Sequence, residues 1–195
     1  MDKNFDYFAE ALSKTMENEG VFPADGKTGL YFADGFHTNF GIAYEFNRRR
    51  LGEFGIVDPD QIDKLTFGQA AQIYREKYWS GSPAAYIQNQ KLAESFFDFA
   101  VNVGRARSWR YLARLCNRFN HRLDKALEMP GKNLDTIYRL KFVLQFFDEL
   151  EVAKTLDDLR IRYYRKRYHL MEKDGKAILA QRFFLSWERR LDYWP

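Results

Sequence analysis

Apolar residues recur at three- and four-residue spacing from the start of the chain. Phe5, Phe8, Leu12 and Met16 share one helical face, which predicts a helix over residues 5–19 that Gly20 stops. From Gly20 to Gly41 that periodicity disappears. Five glycines fall there with Pro23, Asp25 and Asp34, around the run Leu30-Tyr31-Phe32. This composition predicts a structured loop or a short hairpin.

Helical signals then return and continue to the end. Asp58-Pro59 reads as an N-cap with proline in the first turn, and Thr66-Phe67-Gly68-Gln69 as a capping box that launches residues 70–79. Ser82-Pro83 repeats the cap-and-proline signal. Leu92, Phe96, Phe99, Ala100 and Val103 follow on a strongly apolar helix that ends near Gly104 and is predicted to be central and buried. Trp109, Leu112, Cys116 and Phe119 mark the next helix. Met129-Pro130-Gly131 interrupts the pattern, Asn133 is a candidate cap, and residues 134–150 resume it. Thr155-Leu156-Asp157-Asp158 predicts a helix start that runs to about Met171. Asp174-Gly175 turns the chain, and Phe183, Phe184, Trp187 and Leu191 predict a last amphipathic helix. The class is therefore all-α with at most a short β-hairpin after the first helix.

Composition narrows the function classes. The chain has 195 residues, 46% hydrophobic and 17% aromatic, enough apolar material for a packed core. The formal net charge of +4 permits an anionic partner without demanding one. A lone cysteine, Cys116, forms no internal disulfide and reads as a buried structural thiol. His37, His121 and His169 are scattered, so no metal site and no cofactor are expected. The phosphate-cradling loop of nucleotide hydrolases and the nucleophile elbow of esterases are both missing from the sequence. Neither a signal-peptide pattern nor an uninterrupted apolar run long enough for a membrane span is seen, so the chain is expected to be made in the cytoplasm.

The remaining chemistry-bearing group is Glu19, at the C-terminal end of the first predicted helix, followed by a polar loop with Asp25, Asp34 and Thr38. Glycoside hydrolysis needs a carboxylic acid that keeps its proton near neutral pH and a second polar group that manages water or positive charge. The negative end of a helix dipole disfavours a carboxylate, and burial beside Phe22 or Phe40 would act in the same direction.

These residues sit inside a wider resemblance. Glu19-Gly20, Thr38-Asn39-Phe40-Gly41-Ile42, Leu65-Thr66, the segment Ile73-Tyr74-Arg75-Glu76-Lys77-Tyr78-Trp79 and the segment from Phe97 to Gly104 occur in order over about one hundred residues. In this the chain resembles the phage and bacterial N-acetylmuramidases of glycoside hydrolase family 108, proteins that have also carried the label secretion activator. Val21 stands where that family has a second glycine after the Glu. The resemblance implies a lysozyme-like helical fold in residues 1–104 with Glu19 as the catalytic acid. It also implies a helical peptidoglycan-binding domain in residues 105–195, where Arg162-Tyr163-Tyr164 and Phe183-Phe184-Leu185-Ser186-Trp187 look like that module, with Ser186 at a position usually glycine.

By the same resemblance Asp34 and Thr38 are the candidates to complete the catalytic set, Asp25 being the weaker alternative. Two carboxyl groups that hold a water between them would stand about 6.5–9.5 Å apart, as in inverting enzymes. Tyr78 and Trp79 offer flat apolar faces to sugar rings, and Asn39 and Asn102 offer hydrogen bonds. The expected substrate is the glycan strand of peptidoglycan, reached at the wall or periplasm by a non-classical export route. Two other readings stand beside it. One is an inactive cell-wall binder or secretion helper. The other is a basic helical module for nucleic acid built on Arg160, Arg162, Arg165, Lys166 and Arg167; no nucleic-acid partner is expected, because those residues do not form one stripe.

Overall fold

The computed structural model describes residues 7–18, 31–33, 36–120, 122, 136–178, 180, 181 and 184. Glu19, Asp25, Asp34, His121 and the cap expected at Asn133 lie outside the described residues, as does most of the last predicted helix.

The all-α expectation holds. Helix α1 (Tyr7–Asn18) leads to strands β1 (Tyr31–Ala33), β2 (Phe36–Asn39) and β3 (Ile42–Ala43). Helix α2 (Tyr44–Glu53), a 3-10 segment (Pro59–Lys64) and α3 (Phe67–Tyr74) follow. A π-helical turn (Arg75–Trp79) and a second 3-10 turn (Pro83–Tyr86) precede α4 (Gln90–Val103), α5 (Arg105–Asn120), α6 (Thr136–Phe146) and α7 (Glu149–Lys173). The hairpin gains a third, two-residue strand: β1, β2 and β3 form an antiparallel meander in sequence order.

Several caps act as the sequence predicts. Asp58 accepts from the Asp60 amide with Pro59 behind it, although the segment it starts is 3-10 rather than α. Thr66 and Gln69 form the reciprocal capping box of α3. Ser82 accepts from the Ala84 amide, and Asn89 caps α4 through the Leu92 amide. Gly104 ends α4 with φ of +82°, a conformation glycine adopts without steric cost.

The boundary expected near residue 150 lies elsewhere. The chain breaks at Phe147-Asp148, and Asp148 caps α7 through the Leu150 amide. The predicted cap Thr155 is inside α7, where its hydroxyl donates to the Glu151 carbonyl at 2.9 Å. A carboxylate beside free amides is the stronger start signal, and a mid-helix threonine turns its hydroxyl back to the preceding turn.

Helix α4 is the hub. Leu92, Ala93, Phe96, Phe97, Phe99 and Ala100 are all fully buried, and α1, α5, α7, the π-helical turn and the second 3-10 turn all pack on α4. One cluster of buried apolar side chains runs from Phe8 to Tyr164, so the segments before and after Gly104 share an interior. Cys116 is buried in it, as expected, and burial pushes its thiol up to about 12, which makes it an inert packing group.

A polar network crosses that interior. Arg160 on α7 is 1% exposed. Its guanidinium donates to Asp98 Oδ2 on α4 at 2.5 Å, to Ser95 Oγ at 2.7 Å and to Asp157 Oδ1 at 3.4 Å. Phe99 lies under it, 5.7 Å from ring centroid to guanidinium carbon. The basic run that suggested a nucleic-acid face therefore loses its first member: Arg160 is a core residue, and Arg162, Arg165, Lys166 and Arg167 are exposed.

Removing one partner from such a buried set strands the remaining charges. Arg160→Met is expected to lower unfolding free energy by about 3–5 kcal/mol in a denaturant titration. Burial also raises the Asp157 pKa to about 6 against the pull of Arg160. Between about pH 3.9, where an unfolded Asp titrates, and about 6 the native state holds a proton that the unfolded chain has released. Stability from this group is thus greatest below that window and falls as pH rises through it. Asp157→Asn is expected to flatten that part of the pH–stability profile, and an unchanged slope would rule the group out.

Candidate functional site

The hairpin region is held by side chains at successive positions of β2. Phe40 and Gly41 connect β2 to β3 with φ of +49° and +71°, and Asn39 pairs with Ile42 across them. Two left-handed residues between paired strands are what a type I′ turn requires, and phenylalanine adopts this conformation only under constraint. That constraint is visible. The Tyr74 hydroxyl donates to the Phe40 carbonyl at 3.2 Å, and the Phe40 ring packs edge-on against Phe67. A Cβ at position 41 would lie 2.6 Å from the Tyr74 oxygen, so glycine is dictated by space as well as by φ.

Asn39 is 1% exposed. Its amide donates to the carbonyls of Ile62 (3.0 Å) and Leu65 (3.3 Å), tying β2 to the 3-10 segment. On the other side of Thr38, His37 Nδ1 lies 3.1 Å from Glu45 Oε1 on α2, and Nε2 lies 3.6 Å from Asp60 Oδ1. The hydrogen bond from His37 holds the Glu45 carboxyl below its ordinary pKa, with partial desolvation opposing. Thr38 between them is half-buried, and its hydroxyl donates to the Phe36 carbonyl at 3.3 Å. Residues 37–42 thus form a clasp that fixes Thr38 from both sides.

The remaining candidates divide by what they touch. Trp79 packs edge-on against Phe8 and Phe97, each at 5.5 Å, which joins the π-helical turn to α1 and α4. Tyr78 stacks obliquely on Tyr74 at 5.7 Å and stays partly open. Asn102, near the end of α4, is half-buried and donates to the Asp98 carbonyl at 2.8 Å. Asn39 is buried and holds the turn in place, and Thr38, Tyr78, Trp79 and Asn102 are the described candidates that keep open surface. Glu19 and Asp34 lie outside the described residues.

The structure also shows a groove that sequence spacing does not reveal. It holds about 330 Å³ between α2 and the α3–π-turn segment, and Phe46, Asn47, Arg50, Glu53, Glu76 and Lys77 line it. Asn47 departs from helical geometry inside α2 (φ −130°, ψ 16°). Its Nδ2 donates to the Ala43 carbonyl at 2.8 Å, and its Oδ1 accepts from Lys77 Nζ at 3.0 Å. The π-helical turn that presents Lys77 closes with the Ser80 amide on the Arg75 carbonyl at 2.8 Å. Among the described residues, no helix is long and apolar enough to cross a membrane, and no cluster of three or more His, Cys, Asp or Glu is disposed to hold a metal.

The turn clasp generates a test. Gly41→Ala is expected to cost about 1–3 kcal/mol of stability, because it combines a left-handed φ with a clash on the Tyr74 hydroxyl. In a Tyr74→Phe background the clashing oxygen is gone and the same substitution should cost less. A double-mutant cycle in denaturant measures that coupling, and strict additivity would show that the two groups do not meet.

Comparison with known proteins follows the same segment. Residues 12–104 match the family model described as Glycosyl hydrolase 108. That span is just under half of the chain and runs from within α1 to the end of α4. No curated protein matches. Over nearly its whole length the chain is similar in fold to a solved structure described as Brucella abortus SagA, with a TM-score of 0.56, 20% identity, and coverage of 95% of this chain and 94% of that one. At that identity the likeness speaks for the fold alone. The segment from α1 to the end of α4 is thus similar to a glycoside hydrolase family, and that stretch of sequence includes Glu19, Thr38, Tyr78 and Asn102.

Proposed function

We infer that the protein is a peptidoglycan hydrolase that cleaves the glycan strand as an N-acetylmuramidase, with Glu19 as general acid. The observation that carries this reading is the glycosyl hydrolase match over residues 12–104, which takes in both Glu19 and the clasped Thr38. In this reading Glu19 closes the helix whose described part is Tyr7–Asn18, and partial negative charge at the carbonyl end of a helix favours the protonated carboxyl.

In this reading the chain's own residues divide the work. Glu19 donates its proton to the glycosidic oxygen as the bond to the sugar breaks and positive charge builds on the ring. Asp34 and Thr38 manage the attacking water, and the His37–Glu45 and Asn39 anchors hold Thr38 in place on β2. Tyr78, Trp79 and Asn102 contribute to holding the strand. Residues 105–195 serve as a second, wall-binding part packed on the first through α4 and α5. The site of action is the cell wall, where the substrate is.

Purified protein is expected to clear a suspension of peptidoglycan sacculi. Glu19→Gln should slow clearing by about a hundredfold or more with an unchanged helical circular dichroism spectrum. Equal clearing by the two proteins would remove Glu19 from the mechanism. Tight binding to sacculi without clearing by the parent protein would favour the wall-binder reading.

A further inference from the structure

Helices α5 and α6 carry charge of one sign only. The 16 residues of α5 include Arg105, Arg107, Arg110, Arg114 and Arg118, the 11 of α6 include Arg139 and Lys141, and neither helix has an acidic residue. The whole chain is net +4, so with seven cations here everything outside these two helices is net −3. Solvated helix faces ordinarily mix both signs, which gives each charge a neighbour to pair with. Here the cations are segregated from the acids.

Arg107, Arg110, Arg114 and Arg118 recur at spacings of three and four and form one stripe of α5, about 16 Å long. Arg110 and Arg114 are exposed, and Arg107 and Arg118 are half-buried. Among the described residues none of the four pairs with a carboxylate. Two of them are held instead by rings at the seam between α5 and α7. The Arg107 guanidinium donates to the Tyr163 hydroxyl at 2.8 Å and lies over that ring at 5.4 Å, and Arg114 lies over Tyr111 at 4.8 Å. A guanidinium braced on a ring keeps donors free for an incoming anion and loses little freedom on binding it.

Helix α6 adds an apolar part. It packs on α5, where Arg139 donates to Asn117 Oδ1 at 2.5 Å. On its outer side Tyr138, Phe142 and Phe146 follow one another at four-residue spacing; Tyr138 is 57% and Phe146 49% exposed, and the rings of Phe142 and Phe146 meet at 5.1 Å. Arginines beside exposed aromatic rings, on helices without an acid, suit phosphate headgroups above hydrocarbon. The guanidinium fork takes two phosphate oxygens at once, and aromatic side chains settle in the interfacial layer. A phosphodiester strand would use the arginines and leave the α6 rings in water. Nor could its bases stack on Tyr111 and Tyr163, whose rings Arg114 and Arg107 cover.

We propose that the face formed by α5 and α6 docks on an anionic phospholipid membrane, with the arginine row on headgroup phosphates and the α6 aromatics in the interfacial layer. The helices lie on the surface and do not cross it. The assignment holds whichever polymer the first segment acts on, and clearing of sacculi neither supports nor weakens it.

Flotation of the full-length protein with large unilamellar vesicles tests this, using phosphatidylcholine alone and phosphatidylcholine with about one-third phosphatidylglycerol. At low salt partitioning onto the anionic vesicles is expected to be about a hundredfold stronger, and added salt should reduce it. Arg110→Glu combined with Arg114→Glu should abolish the preference, and Arg110→Lys combined with Arg114→Lys should keep most of it. Should the charge-reversed protein lose its helical circular dichroism spectrum, Arg110→Gln, at an exposed position, decides instead with a loss of about fivefold. In a Phe146→Trp variant, tryptophan emission should shift to the blue on anionic vesicles and be quenched by brominated acyl chains, measured against the parent protein. Equal partitioning onto the two vesicles, a preference that survives charge reversal, or a Phe146→Trp difference spectrum that vesicles leave unchanged would overturn the proposal. A single-stranded oligonucleotide that binds as tightly per phosphate as the vesicles would also overturn it, in favour of a phosphodiester strand.

Discussion

A buried guanidinium sets the frame of this molecule. Arg160 reaches from α7 into the face of α4 and binds Asp98 and Ser95 there. An interior charge needs its partners at hydrogen-bond distance, which apolar contacts alone do not enforce. The network therefore fixes how α7 lies on α4, and α4 is the element on which α1 and the π-helical turn are also placed. The helix that leads into Glu19 and the turn that carries Lys77, Tyr78 and Trp79 both take their position from it.

Among the described residues, three irregularities of the backbone fall between residues 36 and 79. The Phe40-Gly41 turn, the Asn47 kink and the π-helical turn all fall in this stretch, inside the segment that matches the glycosyl hydrolase family. Each irregularity is held by a specific side-chain bond: Tyr74 to the Phe40 carbonyl, Asn47 to the Ala43 carbonyl, Lys77 to Asn47. Regular helix elsewhere supplies stability, and these local departures from regularity bring polar side chains from distant positions together.

Much of the helical frame was legible in the sequence because caps and apolar periodicity are local signals. Thr66 with Gln69, Asp58 with Pro59 and Gly104 announced their boundaries, and the Phe-rich pattern of α4 announced its burial. Helix α2 was not legible: its sequence, Tyr44 to Glu53, is strongly polar, and only Tyr44 and Leu51 are buried. Thr155 misled because Asp148 competes for the same role with a stronger acceptor. At the site, the motif around Thr38 was recognised by resemblance, but its physical content emerges only in three dimensions. Asn39 and Gly41 answer to Ile62, Leu65 and Tyr74, more than twenty residues away. The groove is equally non-local, since thirty positions separate Asn47 from Lys77. Glu19 entered through its place at a helix end and through resemblance.

The nature of the bond that is cut tests the account most directly. Sacculi digested with the purified protein, reduced with borohydride and analysed by mass spectrometry reveal which sugar bears the new reducing end. A muramidase is expected to release soluble fragments ending in reduced N-acetylmuramic acid, with the peptide stems intact. Fragments ending in reduced N-acetylglucosamine, free stem peptides, or no soluble products at all would contradict it.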